Sequence, residues 1–185
     1  LEWSVVDPGS THIVSFADIG SGKEGFLYAN PVSHVRRGLE LAKQYGYHPG
    51  YAIYEPAFLR LGAALVRAYP GAPQPIYRFM FSTGLSFGFP PERFGLDAYL
   101  QLLDREAPRA PWMIAGLDVD IVPLIEYAAH RGGHVRVGLE DAPFGTTKTN
   151  LNWIDQAVAH IRAAGGEIAS AKEVRRTLTK GAAPA

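Results

Sequence analysis

The sequence predicts an α/β fold built on a parallel sheet, and three observations carry that prediction. Short apolar runs alternate with segments of helical spacing along almost the whole chain, the pattern of consecutive βα units. Strand-like runs such as 76–81 read as apolar throughout, as expected of strands covered on both faces. No Gly-x-Gly-x-x-Gly follows any strand run, so a nucleotide-binding doubly wound sheet loses its best support. Roughly five βα units can be counted, and a closed (β/α)8 barrel takes roughly 250 residues, more than the 185 of this chain. The expected fold is of the (β/α)8 TIM-barrel type, incomplete, with the first strands missing. Residues 1–180 are expected to form one partial barrel and 181–185 a frayed tail.

Each element has its own signal. Residues 3–6 and 13–16 are short apolar runs around the turn Asp7-Pro8-Gly9-Ser10, and 26–29 is a third. In 31–45, Val35, Leu39 and Ala42 recur at helical spacing, with Gly46 after the end. Residues 51–54 read as a strand. A helix over 56–69 carries Leu61, Ala64, Leu65 and Ala68 on one face and stops at Pro70-Gly71. A strand over 76–81 precedes a helix over 91–106 with Pro91 in its first turn. A strand over 112–115 precedes a helix over 119–130. Residues 135–139 read as a strand, and 150–164 as a helix with Ile154, Ala157, Val158 and Ile161 inward. Ser170 and Glu173 form a capping box for a last helix over 171–178.

Composition narrows the function classes. Hydrophobic residues make up 47% and charged residues 19% of the chain, a globular balance. Eighteen basic and eighteen acidic residues give a formal net charge of zero, so no basic surplus points to nucleic acid or an anionic membrane. No apolar run approaches the length of a membrane span. The absence of cysteine rules out disulfides and thiolate metal sites within this sequence and fits a reducing cytoplasm. The sequence starts at Leu1 inside a strand run, which is read as a processed or truncated polypeptide.

The most informative stretch is Gly132-Gly133-His134-Val135-Arg136-Val137-Gly138-Leu139-Glu140-Asp141. Val135, Val137 and Leu139 share one parity of a strand; Arg136, Gly138 and Glu140 share the other. In a barrel the first set would meet helices and the second the interior. Glu140 and Asp141 would then lie at the C-terminal rim, where barrel active sites are built, and Gly138 would leave space beside Arg136. A buried guanidinium needs a carboxylate partner. Two rim carboxylates suit one metal ligand and one general base; a structural Arg–Glu pair with a helix-capping Asp suits the spacing equally well.

Residues 134–141 resemble the signature strand of the β-keto acid cleavage enzymes, whose founding activity is 3-keto-5-aminohexanoate cleavage. The resemblance continues through Trp3-Ser4-Val5-Val6-Asp7-Pro8-Gly9-Ser10, Asn30-Pro31, Trp112-Met113-Ile114-Ala115-Gly116, Thr149-Asn150 and residues 167–175. It implies a zinc-dependent (β/α)8 acyltransferase that acts on a β-keto acid and acetyl-CoA, giving acetoacetate and a new acyl-CoA. By position it implies Glu140 as a zinc ligand, Asp141 as general base, Arg136 as its support and Ser10 as a substrate-binding hydroxyl. A zinc ion in such a site binds the keto acid through oxygen and stabilises a developing enolate.

Two departures stand out. The family's His-x-His pair of zinc ligands has no counterpart among His12, His34, His48, His130, His134 and His160. Ala52 stands where family members often carry an acidic residue; Glu55, at the rim, is read mainly as a helix-flanking acid. The alternatives are a non-catalytic barrel remnant or interaction module without a complete metal site, and another metal-dependent barrel lyase. Loop 82–88 and segment 145–148 are read as plain rim segments, with Lys148 solvated. A partial barrel has open sheet edges, so a homo-oligomer is expected.

Overall fold

The structure is a computed structural model that describes residues 2–180, with side chains described to residue 177. The frayed tail expected over 181–185 lies outside the described residues. Among the described residues the strands are β1 (Trp3–Val5), β2 (Thr11–Ile13), β3 (Phe26–Tyr28), β4 (His48–Ile53), β5 (Ile76–Phe81), β6 (Trp112–Gly116) and β7 (His134–Val135). The helices are α1 (Val32–Tyr45), α2 (Pro56–Ala68), α3 (Arg93–Glu106), α4 (Val122–His130), α5 (Asn150–Ala163) and α6 (Ala171–Lys180).

Five strands form one parallel sheet in the order β1-β4-β5-β6-β7, each step crossing over through a helix. The runs around 13–16 and 26–29 do not join it. They form an antiparallel hairpin, β2 with β3, inserted between β1 and α1. The expected strand over 13–16 ends at Ile13, because a 3-10 turn begins at Phe16.

One face of the sheet carries the helices. Tyr51, Ile53, Tyr77, Phe79, Phe81, Trp112 and Ile114 are buried there with Leu59, Leu96, Tyr99, Leu124 and Ile125. Phe79 stacks on Tyr99 with centroids 4.8 Å apart and planes 2° apart. Full burial of a side chain of this size stabilises by roughly 1.5–3 kcal/mol, so this face carries much of the folding free energy. The other face is the one a barrel turns inward. Ala52, Met80 and Ala115 line it, closed on one side by Ile13 of the hairpin and Phe87 of the loop after β5. Arg78 also belongs to it, so β5 is not apolar throughout as read from the sequence.

Several boundaries move for local reasons. α3 begins at Arg93 rather than Pro91, with Glu92 extended at its N-cap. α4 begins at Val122, where Pro123 in the first turn needs no amide partner. In α5 Trp153 and Ala157 are buried and Ile161 packs partly buried against the core, whereas Ile154 is 47% exposed. The capping box before α6 forms as expected: Ser170 amide and hydroxyl both donate to Glu173, whose amide donates back to Ser170 Oγ. Arg175 makes a bidentate ion pair with Glu2 and so ties α6 to the start of β1.

Candidate active site at the C-terminal ends of the strands

The site begins with how β7 ends. Gly133 lets the chain enter β7 close to β6: a Cβ there would lie 2.2 Å from the Trp112 ring. The ladder then lasts only two residues, His134 and Val135, not the five expected over 135–139. The Arg136 amide still donates to Ile114 O at 2.9 Å, and after it the backbone leaves the sheet. Gly138 does not make room for Arg136. A Cβ there would meet Asn150 Oδ1 at 2.9 Å, the same oxygen that accepts the Leu139 amide at 2.9 Å. Residues 139–141 turn, so Leu139 does not face the helices but is 51% exposed. Glu140 does not point inward either; its side chain is 76% exposed.

That turn brings Arg136 and Asp141 together. Arg136 donates from Nε at 3.0 Å and Nη2 at 2.7 Å, both to Asp141 Oδ1. The Gly116 amide, at the end of β6, donates to the same oxygen at 3.1 Å. Asp141 Oδ2 receives no donor among the described residues. Burial raises the Asp141 carboxyl above its ordinary value, outweighing the opposing pull of Arg136 and the Gly116 amide. The result is a desolvated carboxylate with one oxygen anchored and the other free, the arrangement a general base requires. Glu140 reaches Arg136 Nη1 only at 3.5 Å, which leaves its carboxylate open to another ligand.

Ser10 lies in the loop after β1, at the same end of the sheet, and is exposed. Its Oγ accepts the Asn30 amide at 2.8 Å, while Asn30 Nδ2 donates to Gly9 O at 2.9 Å. Its position anchors the entry to α1, and it makes no hydrogen bond to Arg136, Glu140 or Asp141. Glu55 accepts the Gly88 amide at 3.3 Å and so holds the loop after β5 rather than capping α2. The same loop is tied to the hairpin through Ser86. Lys148 is not simply solvated: its ammonium lies 4.1 Å from the Trp153 ring centroid and donates to Gln156 at 3.1 Å.

Two interior residues escaped the sequence reading. Asp7, buried just after β1, accepts the Ala52 amide at 2.7 Å and the Tyr28 hydroxyl at 2.5 Å, joining β1, β4 and the hairpin. Burial and Asp7 together push the Tyr28 phenol far up, so it stays a donor. Asp7 looked like a turn residue in its Asp-Pro-Gly setting. Arg78 is the second, and its one signal was a charge inside an apolar strand.

The implied zinc ion can be weighed against these donors. Among the described residues no group of three or more His, Asp or Glu side chains could hold a metal ion. A catalytic zinc takes three protein ligands, and Glu140, the ligand implied by the resemblance, is exposed but not part of such a group. The described residues therefore do not make a zinc site by themselves.

A parallel βα sheet in this strand order, with an arginine-anchored aspartate beyond the C-terminal ends of its strands, is the architecture of part of a (β/α)8-type barrel. Comparison with known proteins specifies it further. Residues 2–179 match the family model for beta-keto acid cleavage enzyme, and the chain belongs to that family. It is 26% identical over 169 residues to 3-oxoadipate:acetyl-CoA acetyltransferase of Cupriavidus necator, covering 88% of this chain and 59% of that protein. Its fold is similar to solved structures of ObcA. In the binary complex with oxaloacetate the TM-score is 0.66 at 15% identity, over 96% of this chain and 45% of that one. In the apo structure it is 0.68 at 14% identity, over 96% and 44%. The chain thus spans little more than half the length of the curated relative and just under half of these structures.

Proposed function

We propose that this chain contributes the general base and its support to an enzyme that cleaves a β-keto acid with acetyl-CoA, giving acetoacetate and a new acyl-CoA. The observation that carries the reading is the anchoring of Asp141: three donors on Oδ1, none on Oδ2, and a carboxyl raised by burial. Family membership and the relative's use of acetyl-CoA support the reaction class. In this reading Oδ2 takes a proton from the carbon between the keto and carboxyl groups, where the resulting carbanion is delocalised. The carbanion attacks the acetyl thioester carbonyl and the C–S bond breaks. The released CoA thiolate adds to the original keto carbon, the adjoining C–C bond breaks to give the new thioester, and the departing carbanion takes back the proton held by Asp141 to become acetoacetate. Arg136 holds Asp141 in place, and Ser10 supplies a hydroxyl at the same end of the sheet.

The test is acetoacetate formation by the full-length protein carrying Asp141→Asn. The amide keeps the acceptor oxygen for Arg136 and Gly116, so the fold is expected to survive while turnover falls by about 100-fold or more. Retained turnover overturns the base assignment. Glu140 is proposed as one carboxylate ligand of a zinc ion whose other ligands lie outside this chain. Glu140→Ala is then expected to lower the zinc content of the full-length protein, measured by elemental analysis; unchanged zinc removes Glu140 from the site.

A further inference from the structure

Among the described residues the backbone is left-handed at two non-glycine positions, Arg109 and Asp118. That region is uncommon for a residue with a Cβ, and aspartate is one of the few that occupy it readily. Where such a conformation persists, its surroundings hold it there. Arg109 lies in the turn that leads into β6, at the end of the strands away from the site. Asp118, with a φ of 55°, follows β6 at the same end as Asp141.

Residues 116–119 grip the segment 141–144 at three points. The Gly116 amide donates to Asp141 Oδ1 at 3.1 Å, and the Val119 amide donates to Asp141 O at 3.1 Å. In the opposite direction, the Phe144 amide donates to Asp118 Oδ1 at 2.7 Å, the length of a charge-assisted bond. Val119 and Ala142 are buried between these bonds. The approach is close: a Cβ on Gly116 would lie 3.2 Å from Asp141 O. Asp118 Oδ2 also lies against the loop after β5, since a Cβ on Gly84 would stand 3.5 Å from it. Each of these contacts is made between rim loops of this chain.

We propose that Asp118 is a positioning residue for Asp141: its carboxylate clamps the Phe144 amide, and the left-handed turn that carries it aims the Gly116 and Val119 amides at the base. Arg136 holds the Asp141 carboxylate, whereas the clamp holds the backbone that carries it. A displacement of about 1 Å at a reacting group costs on the order of 100-fold in rate, so a tether on that backbone reaches turnover without touching substrate. The proposal rests on the assignment of Asp141 as general base and adds the residue that sets where the base stands.

The experiment uses the full-length protein and three variants. Asp118→Gly keeps the left-handed turn and loses the acceptor. Phe144→Pro removes the donor alone: Phe144 is the second residue of a turn closed by the Thr146 amide on Pro143 O, a position that suits proline, and its side chain is 69% exposed. Asp118→Asn keeps an acceptor oxygen and a residue that tolerates the turn. Asp118→Gly and Phe144→Pro are each expected to lower kcat for acetoacetate formation by about tenfold or more with KM within about threefold, and Asp118→Asn to stay within about threefold of the wild type in both. Amide hydrogen exchange at Gly116 and Val119, which needs no turnover, is expected to quicken by about tenfold or more in the first two variants and not in the third. Wild-type kcat in Asp118→Gly and Phe144→Pro overturns the proposal. A loss carried by KM also overturns it, as does an equal loss in Asp118→Asn. Unchanged amide exchange in Phe144→Pro overturns it even if the Asp118 variants do not fold. Lack of wild-type turnover with every β-keto acid defeats the parent reading instead, and amide exchange still reads the clamp.

Discussion

Asp141 illustrates how few contacts settle a residue's chemistry. Burial disfavours its charged form, Arg136 favours it, and burial prevails. A base works only when ionised, so kcat/KM of the full-length enzyme is expected to fall as pH drops through a value above 3.8, the ordinary aspartate value. Arg136→Gln removes the favourable charge and should move that acid limb further up; a limb that stays in place separates Arg136 from the base. The same sign governs stability: a carboxyl raised by folding favours the folded state most when protonated, and that contribution is lost as pH rises through the folded value. Arg136, Glu140 and Asp141 were legible as a set, because their order is local to one short segment. Which of the two carboxylates the arginine grips was not, because it depends on where the backbone leaves the sheet.

Elements were legible where one periodicity dominated. The run 76–81 coincides with β5, and α1, α2 and α5 fall within a residue or two of their expected ends. β7 was misjudged because Val135, Val137 and Leu139 alternate like a longer strand, whereas Gly138 and the Asn150 side chain divert the backbone. The double glycine before β7 now has a packing role. Gly133→Ala would drive a methyl into the Trp112 ring and is expected to cost about 1–3 kcal/mol, read as a lower midpoint in urea denaturation. An unchanged midpoint would mean that the Trp112 ring moves aside freely.

At the scale of the molecule, the open sheet matters most. β1 and β7 each pair on one side only within this sheet, and Val5 on β1 is 65% exposed. Unpaired edges recruit other chains, so the 185-residue chain on its own is expected to associate, eluting above its 20.1 kDa mass in size-exclusion chromatography with light scattering. Val5→Lys at the β1 edge should reduce that association, and a stable monomer would show that the edges are protected. No helix among the described residues is long and apolar enough to cross a membrane.

The sequence by itself determined the parallel βα order, the helix-facing core and the rim cluster of Arg136, Glu140 and Asp141, since all three rest on spacing within short segments. Only the tertiary structure decided that the hairpin lies outside the sheet, that Asp7 joins β1 to Ala52 across 45 residues of sequence, and that Arg78 shares an interior cavity with Arg136. Those features arise between strands distant in sequence, and no local pattern encodes which side chain will meet which across the barrel face.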